Sequence, residues 1–435
     1  MNTIQTITER YEQGLIKEQA LEATVYEHIY HSKPEHFLDA CKTASIIRCE
    51  VVEKRTGVSL ALIKASHINN ATFAHGRLLT GIEKKIGGAL IPMGVAGPVN
   101  VKGEYAEGEY YIPLATNEAA LVAGVQRGMK AINLAGGIHT IVTYDGMTRA
   151  PLIEAPDISS ARKLCERVVK DSNLLNVLRA QVKDPFVRLE RIVPYQLGTK
   201  VFLRIECATG DAMGMNGVTK ASADIVRKLL EELPGWKLIT ISSNLCTDKK
   251  AAHINVLQGR GKSVHAEVLV PKDVLTKVFK QGATARQIEK VVFHKCYLGS
   301  SLSGTLTGFN VNAANALAAV FAATGQDLAH VVSSSATFVQ AEAIGDDLHF
   351  QVTMPGLEVA TIGGGTAFGT AQEALALMGC KGFGTDIYDN VHVKRLAELC
   401  CVAVASLDLN TACAQAAGYE MADSHVALAR GEVDS

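Results

Sequence analysis

Residues 199–235, TKVFLRIECATGDAMGMNGVTKASADIVRKLLEELPG, decide the fold class. From Thr199 to Cys207 the side chains alternate. Val201, Leu203 and Ile205 fall on one face and Phe202, Arg204 and Glu206 on the other, the period of a strand. Beyond Gly210 the period changes. Ile225, Val226, Leu229, Leu230 and Leu233 form one helical stripe, which Pro234-Gly235 stops. Lys237 to Ile241 reads as a short strand, and residues 158–183 upstream read as a helix with charged outer positions. This alternation of helix and strand predicts a small α/β layer domain.

Outward from that block the texture differs. Residues 1 to about 45 are helical by the spacing of Leu15, Ala20, Leu21, Val25, Ile29 and Tyr30. The run Ile86 to Pro98 holds several Gly and two Pro, which points to turns and close backbone approaches. From about Ala251 the chain is Ala- and Gly-rich, with apolar helices expected at 309–325, 370–379 and 391–406. The 435 residues are 48% hydrophobic and 20% charged, an ordinary globular balance. Lys plus Arg total 43 against 44 Asp plus Glu, a balance that argues against nucleic acid or an anionic membrane as the main partner. Ten Cys without a C-x-x-C pair are expected to be buried thiols in a reducing compartment, with no metal site. The N-terminus has no secretory h-region, and no sequence stretch reads as a membrane span, so the expectation is a cytoplasmic protein.

Several segments carry chemistry. Gly259-Arg-Gly-Lys-Ser263 imitates a phosphate loop, but Val256 stands where that motif needs Gly, so a loop or turn is the better reading. Gly210 to Asn216 leaves a strand and opens a helix, where free N–H groups can meet an anion. Ile362-Gly-Gly-Gly-Thr366 is a second Gly-rich run, and neither segment is the usual dinucleotide fingerprint. Ser242 to Lys250 packs a carboxylate, two ammonium groups and several polar side chains behind a strand. It is either a solvated loop or a pocket for an anionic substrate with a Lys that polarises a carbonyl. Glu118 and Asp327 are carboxylates among apolar residues and need partners if buried.

Taken together, seven segments resemble the 3-hydroxy-3-methylglutaryl-coenzyme A (HMG-CoA) reductase family, in its class I catalytic portion. They are Met93-Gly-Val-Ala-Gly-Pro98, Asp145-Gly-Met-Thr-Arg149, Asp211 to Asn216, Cys246-Thr-Asp-Lys-Lys250, Gly325-Gln-Asp327, Gly363-Gly-Gly-Thr366 and Ser424-His425. The resemblance implies a four-electron reduction of HMG-CoA to mevalonate and free CoA. It assigns Lys249 to the oxyanion, Glu118 to proton donation, Asp327 to electrostatic coupling with both, and His425 to protonation of the CoA thiolate. It places Arg149, Ser242, Asn244, Asp248, Lys250, Lys295 and Asn315 on the substrate, and Gln126, Arg127 and Lys130 on CoA. For the nicotinamide cofactor it implies Asp184, Asp211, Met213, Gly214, Met215, Asn216, Gly363, Gly364, Gly365 and Arg430.

The implied architecture is mixed, α/β shading into α+β. An N-terminal helical segment (1–84) precedes a large HMG-CoA-binding domain (85–149 plus 254–435). A small cofactor domain (150–240) is inserted in it and followed by an active-site loop (241–253). The family also implies a homodimer, or a higher oligomer, with shared active sites. One departure bears on the cofactor. Where class I members place a Ser-Arg pair for the NADPH 2′-phosphate, this chain has Asp184-Pro185. A carboxylate repels that phosphate and suits a ribose 2′-hydroxyl, so NADH is expected to be preferred; NADPH is the alternative, through Lys183 or Arg188. Two other functions stay open on residues alone: a nicotinamide oxidoreductase acting on another acyl thioester, and a non-catalytic CoA-binding protein.

Overall fold

The computed structural model describes residues 3–66, 82–279, 283–384 and 390–423, together with the backbone of β1 (Thr72–Ala74) and β2 (Arg77–Leu79). The expected site residues His425 and Arg430 lie outside the described residues. The chain forms two compact units, Met1–Pro92 with Ala367–Glu373, and Met93–Thr366 with Ala374–Ser435.

In the first unit, helices Thr3–Glu12, Leu21–His28 and Phe37–Thr56 bury Ile7, Leu21, Val25, Ala44 and Ile47 together. Arg48 is enclosed among them and satisfied by Glu18 at 2.8 Å and Glu22 at 2.7 Å. The segment is not purely helical as expected, because β1 and β2 pair antiparallel within it.

The second unit is built on a ten-stranded sheet. Its strands are β3 (Met93–Gly103), β4 (Glu107–Ala115), β5 (Ile138–Arg149), β6 (Leu152–Glu154), β7 (Arg188–Leu197), β8 (Lys200–Ala208), β9 (Lys237–Thr240), β10 (Gly261–Val270), β11 (Phe338–Ile344) and β12 (Asp347–Leu357). The order is β11-β12-β10-β5-β8-β6-β9, with β3 added to β5, β4 to β3 and β7 to β8. Every pairing in it is antiparallel except β3 with β5, which places the fold on the α+β side of the expectation. The β5 strand joins two cores. Its His139–Gly146 stretch pairs with β10, while Met147–Arg149 pairs with β8.

The larger core gathers Val264, Val268, Phe350 and Val352 from the sheet with the helix Val391–Ala416. That helix is apolar on all sides, as a helix enclosed by protein must be. It is long and apolar enough to cross a membrane, yet 89% of its apolar window is buried inside the fold. The second core packs Val201, Leu203 and Ile205 of β8 against Leu164, Leu174, Val218 and Ile225 from the neighbouring helices.

Three local expectations change. The helix expected at 158–183 is two, Ile158–Lys170 and Ser172–Arg179, because Asp171 ends the first and caps the second by accepting from the Leu174 N–H. The helix expected at 309–325 starts only at Ala313 and stops at Gly325 in a left-handed cap, and the one expected to end at 406 runs on to Ala416. In β8 the polar face is buried too, with Arg204 1% and Glu206 7% exposed.

Candidate active site

The loop after β9 is set by its own strained backbone. Asn244, Thr247 and Lys249 all have left-handed φ, at 67°, 59° and 57°, which costs free energy in non-Gly residues and needs surrounding structure to hold it. Arg204 supplies part of that hold, donating to the Leu245 carbonyl at 2.7 Å and the Gly259 carbonyl at 2.8 Å from inside the protein. Thr247 donates to Asn255 Oδ1 at 2.6 Å. Ser243 ties the loop to β5 through the Ala150 carbonyl at 2.7 Å.

This hold places Lys249 Nζ 2.9 Å from Asp327 Oδ2, with both side chains part-exposed. Asp327 caps the turn Leu328–His330 by accepting from the Ala329 N–H. Its carboxylate raises Lys249 above the ordinary lysine range, so the ammonium stays charged at neutral pH. Burial works against the charged form of Asp327, but Lys249, the Ala329 N–H and His330 together hold it below the usual carboxylate range.

Behind this pair lies a charge network that the sequence reading missed. His330 is 1% exposed, with Nδ1 3.3 Å from Asp327 Oδ2 and Nε2 3.0 Å from both Asp248 Oδ1 and Glu358 Oε2. Arg260 is fully buried, ion-paired to Glu358 and 3.1 Å from Asp248 Oδ1. The His330 hydrogen bond, ahead of Arg260 and Arg149, holds Asp248 far below the ordinary range against burial. Asp248, His330 and Glu358 lie close enough to share one ion, but Arg260 already engages both carboxylates. The imitation phosphate loop at Gly259–Ser263 is thus the entry to β10: Lys262 pairs with Asp145 at 2.6 Å, and Arg260 points into the network. Glu358 had a legible signal, a lone carboxylate in the apolar run Met354 to Ala360.

Of the expected substrate residues, Arg149 donates to Ser242 Oγ at 3.0 Å and lies 3.7 Å from Asp248 Oδ2, while Lys250 donates to the Asp248 carbonyl. Asn244 is exposed at the head of the loop. Lys295 is exposed on the π-helical turn Phe293–Gly299, and Asn315 lies in the first turn of Ala313–Thr324; neither bonds to the Lys249 group. The start of the Asn315 helix is held by Asp408, whose buried carboxylate accepts from the Val311 and Asn312 N–H groups at 3.1 and 2.8 Å. Burial pushes Asp408 up to about 7. A carboxyl with a raised folded pKa adds stability that is complete at low pH and lost as pH rises through the folded value. The melting temperature of wild type relative to Asp408→Asn should therefore fall between about pH 4 and about pH 7 and level off above that. A gap that stays constant would contradict this.

The two Gly-rich segments meet. Ala212 and Ile362 form an isolated parallel bridge, and the Thr361 N–H donates to the Asp211 carbonyl. Gly214, at φ 83°, precedes the helix Met215–Glu231, whose first N–H groups have no helical partner. Gly363 and Gly364 are left-handed and face open space, while a Cβ on Gly365 would strike the Gly325 carbonyl beside Asp327. These residues fit a dinucleotide laid over a helix N-terminus. Met213 lies in the same turn, Met215 is buried against Arg260, and Asn216 opens the helix. The Asp211 carboxylate faces inward instead, accepting from the Val393 N–H at 2.8 Å and the Gly384 N–H at 3.3 Å. Asp184 borders a cleft of about 520 Å³ lined also by Arg179, Lys183, Pro185, Arg188 and Glu190.

A second cleft, of about 490 Å³, is lined by Gln126, Arg127 and Lys130, with Pro98 and Asn133. Arg127 is held there by Glu420 at 2.7 Å and stacks over Phe279. Glu118 stands apart. It is exposed after β4, its own N–H bonds Thr116, and no hydrogen bond or ion pair joins it to Lys249 or Asp327.

Comparison with known proteins bears on the family. The family model described as Hydroxymethylglutaryl-coenzyme A reductase matches residues 44–430. The chain is 44% identical over 403 residues to the 3-hydroxy-3-methylglutaryl-coenzyme A reductase of Aeropyrum pernix, covering 92% of this chain and 93% of that one. It is 41% identical over 391 residues to the reductase of Pyrococcus abyssi, covering 89% and 93%. Among solved structures, the class II reductase of Streptococcus pneumoniae bound to NADPH shares the fold with a TM-score of 0.59, at 20% identity over 76% of each chain.

Proposed function

The chain belongs to the hydroxymethylglutaryl-coenzyme A reductase family, and from that premise we propose which of its residues carry the reaction. The reaction is the reduction of HMG-CoA to mevalonate and free CoA. The observation that supports the assignment most is the Lys249–Asp327 contact at 2.9 Å beside the joined Gly-rich segments. Lys249 faces the oxygen that becomes negative when the thioester carbon is reduced, and Asp327 keeps that lysine protonated. Glu118 donates a proton to the aldehyde oxygen, and His425 protonates the departing thiolate. Arg149, Ser242, Lys250 and Lys295 receive the free carboxylate of the substrate, with Arg149 offering a planar fork already oriented by Ser242 and Asp248; Asn315 lies near the thioester. Gln126, Arg127 and Lys130 receive CoA in the second cleft. Met213 to Asn216 and Gly363 to Gly365 form the nicotinamide side, joined by Arg430, with Asp211 supporting the turn from behind, and the cofactor supplies hydride. The direct test is loss of reduced-nicotinamide absorbance on adding HMG-CoA; no substrate-dependent oxidation with either cofactor would refute the reading.

The exposed position of Glu118 fits a site completed by a second copy, in a cytoplasmic homodimer or higher oligomer. Mixing Glu118→Gln with Lys249→Met, each inactive alone, should then restore turnover after subunit exchange. Mixtures that exchange subunits yet stay inactive would place each site within one chain.

The reductase structure bound to NADPH supports a nicotinamide cofactor, and Asp184 supports NADH as the preferred one. One Asp184 oxygen accepts from the Phe186 N–H at 3.0 Å. The other lies beside Gly217 in the first turn of Met215–Glu231, where a carboxylate already meets the positive helix end that a phosphate would seek. NADH is expected to exceed NADPH in kcat/KM by about tenfold or more, roughly one unfavourable charge contact. Asp184→Ser with Pro185→Arg should reverse the order; an NADPH preference in wild type would sink the idea.

A further inference from the structure

We propose that His330 is a positioning residue for the reduction: it holds the Asp327 carboxylate while Lys249 serves the substrate. The inference rests on the reading of Lys249 and Asp327 as catalytic. The imidazole is 1% exposed and sits at the centre of the charged groups. Asp327 and Lys249 face its Nδ1 side, and Asp248, Glu358 and Arg260 face its Nε2 side, with Arg149 beyond Asp248.

The two ring nitrogens are used differently. Nε2 is 3.0 Å from Asp248 Oδ1 and from Glu358 Oε2, which ties the strained loop carrying Lys249 to the end of β12. Nδ1 is buried without an aligned hydrogen bond, and the nearest acceptor is Asp327 Oδ2 at 3.3 Å. A buried nitrogen left short of a bond is costly unless another state of the site completes it. Catalytic hydrogen bonds are often long in the free enzyme and tighten with substrate. When negative charge grows on the substrate oxygen beside Lys249, the neighbouring Asp327 carboxylate opposes it. With a proton on each ring nitrogen, Nε2–H donates to the Asp248 and Glu358 carboxylates while Nδ1–H closes on Asp327 Oδ2 from the other side, which offsets that opposition without moving the lysine.

The two nitrogens can be separated by substitution. The amide of His330→Gln reaches the Nε2 position, and the amide of His330→Asn reaches the Nδ1 position. His330→Gln is expected to keep its melting temperature within a few degrees while kcat falls about tenfold or more and KM changes less than about threefold. His330→Asn is expected to lose stability, yet below its transition to retain more kcat than the Gln variant. A merely structural histidine predicts the opposite, kcat following melting temperature in both variants, and that result overturns the proposal. Full kcat in His330→Gln overturns it as well. Lys249→Met and Asp327→Asn measured beside them separate the two ideas. If those variants keep turnover, the catalytic reading itself has failed; if they lose it while His330→Gln does not, only the positioning role has.

Discussion

Lys249→Met is expected to lower kcat for HMG-CoA reduction by about a thousandfold while leaving the fold intact. Methionine keeps most of the length and loses the charge. Lys249 is part-exposed, so its packing contribution is small and the melting temperature should hardly move. The chemical loss is large because the ammonium is aimed at charge that develops only in the transition state. Removing one such donor costs about 10²–10³-fold, and a full positive charge lies at the upper end. KM should change far less on the proposed assignment of the substrate carboxylate to Arg149, Ser242 and Lys250. A variant within about tenfold of wild-type kcat would remove Lys249 from the chemistry.

The largest expected effect on stability comes from Arg260→Met. The guanidinium is fully buried, paired with the equally buried Glu358 and 3.1 Å from Asp248, and it donates to Thr148 Oγ1 at 3.2 Å. Burial already pushes the Glu358 carboxyl up, against the pull of Arg260 and His330. Without Arg260 the buried Glu358 carboxylate loses its main cation and Asp248 loses one of its partners, a change that costs about 3–5 kcal/mol. For a chain of this size that corresponds to a melting temperature lower by roughly 3–6 °C. Arg260→Met combined with Glu358→Leu should recover part of the loss, because a buried pair is costly to break and cheap to replace with apolar groups. A double variant as unstable as the sum of the singles would mean that the two residues act independently.

The sequence exposed the parts of the site that consist of local motifs. The Gly-rich turns at 210–216 and 362–366 were legible because left-handed backbone and close approach favour glycine. Lys249 and Asp327 were legible inside Cys246–Lys250 and Gly325–Asp327. The apolar helix of the core was visible too, although its end lay ten residues past the expected Ser406, at Ala416. Gly418, left-handed at φ 77° just past the cap residue Ala417, marks that end. Arg204 shows the limit most clearly. On an alternating strand it reads as a solvent-facing charge, yet it is buried because the loop from Leu245 to Gly259 folds over it and offers two carbonyls. His330 and Arg260 were hidden because their partners come from segments far away in the chain.

By itself the sequence determined the helix and strand periods, the turns that break them, the family and the local motifs that hold Lys249 and Asp327. Those depend on side chains within a few residues of one another, where spacing alone decides which face a group occupies. Only the tertiary structure decided that Lys249 lies on Asp327, that the two Gly-rich turns share a bridge, and that Arg260, Glu358, His330 and Asp248 neutralise one another behind them. A charge is tolerable away from water only beside its partner, and these partners come from segments far apart in the chain that the sheet and the long central helix bring together.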